Sequence, residues 1–202
     1  FPNSVKFDVG DRVGLSGIAV YNSSFNITSA YGNNVITIKW NADSQSSFTF
    51  IIPDGYYSIS DLNYYIQSQC IANNLYVSNS SGMNIYFIEL VVNPTRYAVS
   101  LNLYALPTAS QASTMKYVKP NDALWNFPST AKCPQITISN ALGNLIGQNA
   151  GIYPSSDSVA LNQQYLSTIT PTLNIIDSYI LTCSLINNKY AIPSDVFFSV
   201  PL

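Results

Sequence analysis

The chain has 202 residues, 47% of them hydrophobic but only 9% charged, whereas an ordinary soluble domain carries roughly 25% charged residues. That hydrophobic content excludes global disorder. The net charge of -2 excludes a strong field for nucleic acid or anionic membrane. A surface built from Asn, Ser, Thr and Tyr instead suits packing against neighbours at little desolvation cost.

The length fits one all-β domain spanning 1–202. The first residues lack the blocks of a signal peptide, and a chain opening on Phe1 rather than Met leaves room for an upstream piece. Phe1–Gly10 reads as an N-terminal arm. Val13–Tyr21 then alternates as a strand and continues into Phe25-Asn26-Ile27. After an Asn33-Asn34 turn come strands at Val35–Trp40 and Ser47–Ile52, the latter closed by the turn signal Pro53-Asp54-Gly55. A helix is expected from Ser60 to about Ala72: Ser58 and Asp61 are spaced as a cap, and Leu62, Tyr65, Ile66 and Cys70 recur at helical spacing. It is expected to close one edge of the sandwich.

Further strands are expected at Leu75–Val77, Met83–Val92, Tyr97–Leu106, Gln135–Ile138, Ile175–Leu185 and Val196–Val200, with a short helix over Ser139–Ile146. Pro107–Pro134 reads as a long loop that is functional or ordered by a partner, and Gly147–Thr172 as a second polar stretch. The sum is an all-β single jelly-roll sandwich of about eight strands in two sheets, with one or two short helices. No apolar run approaches the roughly 20 residues of a membrane-spanning helix.

Catalytic chemistry finds little material. There is no histidine, which removes Ser-His and Cys-His nucleophiles and the commonest zinc ligand. Cys70, Cys133 and Cys183 are odd in number and widely spaced, so reduced thiols are expected rather than disulfides or a zinc site. No phosphate-cradling glycine loop occurs. Carboxylate-pair chemistry remains as the enzyme alternative, but most acids sit at turns or caps. Asp8, Asp11 and Asp54 fit turn chemistry better than a calcium loop. Three sequons, at Asn22, Asn26 and Asn79, are what chance gives in a chain rich in Asn and Ser. The 15 tyrosines, with the pairs Tyr56-Tyr57 and Tyr64-Tyr65, fit a core or a subunit interface better than a stacking platform. No metal, cofactor or nucleic-acid partner is expected.

Three segments, in order, carry a resemblance. Gly17–Ile27, with Tyr21-Asn22-Ser23 and Asn26-Ile27, resembles the opening strands of penton-type minor capsid proteins of polintons, polinton-like viruses and virophages. Phe50–Ile66, with Pro53-Asp54-Gly55, Tyr57, Asp61-Leu62-Asn63 and Ile66, is similar to that family's strand–turn–helix signature. Leu181–Tyr190, with Cys183, Leu185 and Asn187-Asn188, resembles its C-terminal strand and hairpin. The resemblance implies a non-enzymatic virion protein at the capsid vertex. It would be a single jelly roll that forms a homopentamer and docks to a double-jelly-roll major capsid protein. The alternatives are a cementing minor capsid protein between capsomers and, from another class, a carbohydrate-binding jelly-roll module using exposed tyrosines.

Overall fold

Alternation of β-branched and aromatic residues with small polar ones builds most of the fold. A computed structural model describes residues 24–42, 46–173, 178–182 and 196–201. In chain order the strands are β1 (Val35–Trp40), β2 (Ser46–Ile51), β3 (Val77–Ser78), β4 (Asn84–Ile85), β5 (Ile88–Asn93), β6 (Ala98–Leu103), β7 (Gln135–Ile138), β8 (Gly151–Tyr153), β9 (Gln163–Leu166), β10 (Ser178–Thr182) and β11 (Val196–Pro201). The helices are α1 (Ile59–Ala72), α2 (Ala109–Met115) and α3 (Asn140–Ile146).

Every pairing among these strands is antiparallel. One sheet runs β2-β1-β7-β8 and another β5-β6-β9, while β3 pairs with β4 and β10 with β11. In β1 the alternation turns Ile36, Ile38 and Trp40 inward and leaves Val35, Thr37 and Lys39 on the other face. The inner face of that sheet, Ile88 and Leu90 of β5, Val99, Leu101 and Leu103 of β6 and one stripe of α1 belong to a single buried cluster. Two antiparallel sheets sharing one core under a helix is an arrangement consistent with an all-β sandwich.

The cluster is finished by aromatic edges. Trp40 meets Phe87 and Trp125 edge-on at centroid distances of 5.7 and 5.4 Å, and Trp125 meets Phe127 at 5.4 Å. Such pairs add about 0.5–1.5 kcal/mol each beyond the area they bury. The Trp125 indole N–H also donates to the Asn74 carbonyl at 2.7 Å, which ties the 120s segment to the end of α1.

Several expectations need correction. Pro107–Pro134 is not a structureless loop. It opens with α2, whose Thr108 and Gln111 form a reciprocal capping box. It bridges Val118 to Ser78 and Lys132 to Leu106, and it puts Trp125 into the core. The expected strand Met83–Val92 is broken at Tyr86-Phe87, because the chain leaves the β3–β4 hairpin there to join the three-stranded sheet. The polar stretch Gly147–Thr172 supplies β8 and β9, both held by neighbouring strands rather than by their own composition. The described residues thus contain eleven strand segments and three α-helices, against the eight or so strands and one or two helices expected. The expected strand Val13–Tyr21 and the arm Phe1–Gly10 lie outside the described residues.

Candidate functional site

Ten of the residues singled out in the sequence by the resemblance lie around the entry and first turns of α1. Pro53-Asp54-Gly55 ends the β2 segment and turns the chain. The Asp54 carboxylate accepts the Ser29 backbone N–H at 2.8 Å, and Gly55 forms an isolated antiparallel bridge with Ile27. That bridge consists of Gly55 N–H donating to Ile27 O at 2.9 Å and Ile27 N–H donating to Gly55 O at 3.1 Å. A side chain on Gly55 would meet the Tyr57 ring at 2.9 Å, so that ring would have to shift to admit one.

Asn26 is almost wholly buried, at 1% exposure, and its amide is spent on backbone. Its Nδ2 donates to the carbonyls of Tyr57 and Leu173, at 2.8 and 3.1 Å, and its Oδ1 accepts the Tyr57 N–H at 2.8 Å. Asn33 supports it in the same manner: Nδ2 donates to Asn26 O at 2.8 Å and Oδ1 accepts from Thr28 N–H at 2.9 Å. The sequon at Asn26 is therefore occupied by a structural amide. Asn33, read from sequence only as a turn residue, belongs to the same knot, and nothing local to it signalled that.

The helix begins on a full capping box. Ser58 Oγ accepts the Asp61 N–H at 3.2 Å, and the Asp61 carboxylate accepts from Ser58 N–H and Oγ at 2.9 and 2.6 Å. Those bonds from Ser58 hold the Asp61 carboxyl below its usual range. Leu62, Ile66 and Cys70 point into the core, as expected of the helical stripe. Asn63 instead reaches across to a strand, where its Oδ1 accepts the Leu90 N–H at 2.9 Å, on β5. Tyr65, on the other flank, donates its hydroxyl to the Ile51 carbonyl at 2.6 Å, on β2. Among the described residues, β5 and β2 each stand at an end of their sheet. The helix was expected to close one edge, and it closes against an edge strand of each of the two larger sheets.

In each tyrosine pair one hydroxyl donates to a nearby backbone carbonyl. Tyr57 donates to Pro53 O at 2.9 Å and Tyr65 to Ile51 O, while Tyr56 and Tyr64 are exposed. Burial, then the nearby Asp54 and Asp61 carboxylates, pushes the Tyr57 hydroxyl above its usual range. Burial alone pushes the Cys70 thiol to about 12 and the Cys133 thiol to about 11. Neither is poised as a nucleophile. Glu89, which interrupts an apolar strand, accepts from the Tyr104 hydroxyl at 2.9 Å. A cavity of about 410 Å³, bounded by Tyr86, Tyr104, Met115 and Tyr117 among others, is lined by no carboxylate, cation or thiol. No group of three or more His, Cys, Asp or Glu placed to hold a metal occurs among the described residues. No helix among them is long and apolar enough to cross a membrane.

The outer surface is poor in charge and dotted with large apolar side chains. Leu124, Tyr97, Leu161 and Tyr64 are 96%, 80%, 77% and 68% exposed. Among the described residues Lys39–Asp157, at 3.0 Å, is the one ion pair. Of the residues carrying the resemblance, Asn26, Ile27, Pro53, Asp54, Gly55, Tyr57, Asp61, Leu62, Asn63 and Ile66 are gathered at this one place. Tyr21, Asn22, Ser23, Cys183, Leu185, Asn187 and Asn188 lie outside the described residues. Comparison of the chain with family models, with curated proteins and with solved structures finds no match.

Proposed function

We propose that this chain is a structural, non-enzymatic protein that works by assembling with copies of itself: a penton-type minor capsid protein with a single jelly-roll fold. In this reading it forms a homopentamer at a virion vertex and docks to a double-jelly-roll major capsid protein. The observation that carries the proposal is how the shared motif is used. Asn26, Asp54, Gly55, Asp61 and Asn63 spend their polar groups on the protein's own backbone and caps. A motif whose polar groups are engaged within the fold in this way fits a part whose product is a shape. The surface left over, short of charge and carrying exposed leucines and tyrosines, fits close mating with neighbours.

The test is the mass of the purified chain in solution, by light scattering after size exclusion, over a wide range of concentration. A closed five-membered species, or a monomer that converts to one as concentration rises, is the expected result. A trimer would favour a cementing role between capsomers. A strict monomer at every concentration, unchanged by adding the major capsid protein of the same particle, would overturn the proposal.

A further inference from the structure

We infer that a pocket between the end of α1 and the 120s segment is a binding site for one neutral, hydroxyl-rich ring, the chemistry of a sugar residue. The inference goes beyond self-assembly and does not depend on it. The pocket holds about 250 Å³, and both tryptophans of the chain, Trp40 and Trp125, line it together with Phe48. The two indoles use their N–H groups differently. That of Trp125 donates to the Asn74 carbonyl at 2.7 Å and so builds the wall. Trp40 is 1% exposed, and its N–H is buried with no acceptor among the described residues. Buried donors in folded proteins are nearly always paired, and an unpaired one calls for an explanation. An acceptor brought through the pocket, either the ligand's own oxygen or a water it holds in place, completes the pairing.

The lining decides the class of ligand. Asp122 is the one charged side chain among the described residues that line the pocket, so an anion is repelled. An alkylammonium would suit Asp122, but it brings no acceptor for the Trp40 N–H. The Trp125 ring, moreover, already has the Lys119 ammonium 5.9 Å from its centre. The indoles cross at 63° with centroids 5.4 Å apart, which leaves no parallel slot between them for a flat base. A hydroxyl group both accepts and donates. It can pair with the Trp40 N–H and donate to the Asp122 carboxylate. Asn73 gives its Nδ2 to the Gln69 carbonyl at 2.9 Å, which leaves its Oδ1 as an acceptor for a second hydroxyl. The C–H edge of a puckered ring then packs on the aromatic side chains.

Volume decides how much of a sugar fits. Sites for drug-sized ligands run from roughly 300 to 1,000 Å³, so this pocket has room for one ring and not for a chain of them. Its wall is fixed in advance. Lys119 Nζ donates to Trp125 O at 2.7 Å and to Asn126 Oδ1 at 3.1 Å, and the Ala123 N–H donates to Pro120 O at 3.1 Å. A site built before its ligand arrives spares the ordering cost of binding. Leu124 lines the pocket yet is 96% exposed, and a bound ring would cover part of it. A free sugar and the terminal residue of a glycan share this chemistry.

Because both tryptophans line the pocket, their fluorescence reads it directly. The whole chain is titrated with glucose, galactose, mannose and N-acetylglucosamine, and with tetramethylammonium and adenosine as rival probes. An array of glycans ending in the same sugars separates a glycan end from a free sugar. The expected result is a saturable change with at least one sugar, free or on the array, at a dissociation constant of millimolar order, and none with the rivals. Asp122→Asn keeps the shape of the site and should weaken binding tenfold or more. Trp40→Phe removes the unpaired N–H and should do the same; where circular dichroism shows that it fails to fold, Asp122→Asn decides. Tyr64→Ala, on α1 and outside this pocket, should change nothing. No response to any sugar, free or on the array, would overturn the inference. So would saturation by tetramethylammonium or adenosine in place of a sugar. Sugar binding unchanged in Asp122→Asn, or lost in Tyr64→Ala, would overturn this pocket as its place. The mass of the chain in solution enters none of these outcomes, so failure here and failure of self-assembly are told apart.

Discussion

The side-chain amide of Asn26 grips the backbone of Tyr57 at both ends: Nδ2 donates to its carbonyl and Oδ1 accepts its N–H, each at 2.8 Å. The two residues are 31 positions apart, so the clamp fixes where the first described segment meets the start of α1. Replacing Asn26 by Ala removes these bonds and the one to Leu173. It leaves backbone groups unpaired beside the core, for an expected loss of about 3 kcal/mol. Urea unfolding with an unchanged slope is the measurement. A loss below about 1 kcal/mol would mean that water replaces the amide without penalty.

Two glycines give a contrasting pair. Gly147 has φ +77°, and a methyl group there would collide with the Ile169 backbone carbonyl. Gly32 has φ +62° and open space around it. Gly32→Ala therefore costs only the left-handed backbone term, about 1–2 kcal/mol. Gly147→Ala must also push back the 167–171 segment, and thermal melts should show about twice that loss or more. Equal losses would show that this segment moves aside freely.

The buried thiols set an alkaline limit. Cys70 and Cys133 are pushed to about 12 and 11 by burial, from 9.0. A raised folded value means that the unfolded chain ionises first, so the stability they contribute is intact below about pH 9 and is lost as pH rises through the folded values. The Tyr57, Tyr65, Tyr104 and Tyr165 hydroxyls are shifted upward too and act in the same direction. In a Cys183→Ser variant, a thiol reagent at about pH 8 should react only as fast as the protein opens, and immediately in denaturant. Prompt labelling of the native chain would contradict this burial.

The acid limit has the opposite sign. Asp61 and Asp157 are held below the ordinary 3.8, the first by the Ser58 hydrogen bonds and the second by Lys39. Their contribution is complete above the ordinary carboxylate range and is lost as pH falls through the lowered values. The melting temperature should therefore be level from about pH 7 to 5 and fall below about pH 4. Part of that fall should be missing in Asp61→Asn. An identical acid profile in that variant would remove Asp61 from the account.

The legible parts of this fold are those whose cause is local. Val35–Trp40 and Gln135–Ile138 alternate strongly enough to be read as strands with their observed bounds, and Ser58 with Asp61 announces α1 within one residue. α2 carried an equally local signal, the Thr108-x-x-Gln111 box, but proline and serine around it outweighed the cap. β8 and β9 could not be read from their own residues, since pairing with β7 and β6 makes them strands. The same limit applies to the site. Asn63 and Asn26 were singled out in the sequence only by a resemblance; that each serves backbone 27 and 31 residues away was not legible, because only tertiary placement creates those bonds.

The position of α1 bears on how an assembly of the kind proposed would avoid the wrong polymer. A protein that associates through uncharged β surfaces runs the hazard that strands add edge to edge without end, giving a fibre instead of a shell. Asn63 occupies the Leu90 N–H on one terminal strand and Tyr65 the Ile51 carbonyl on another. A single helix thus occupies a hydrogen-bonding position on a terminal strand of each of the two larger sheets, as the described residues form them. In the assembly proposed above, growth would then be steered away from the backbone, where it has no natural stop, and toward side-chain surfaces, where geometry would set the number of copies.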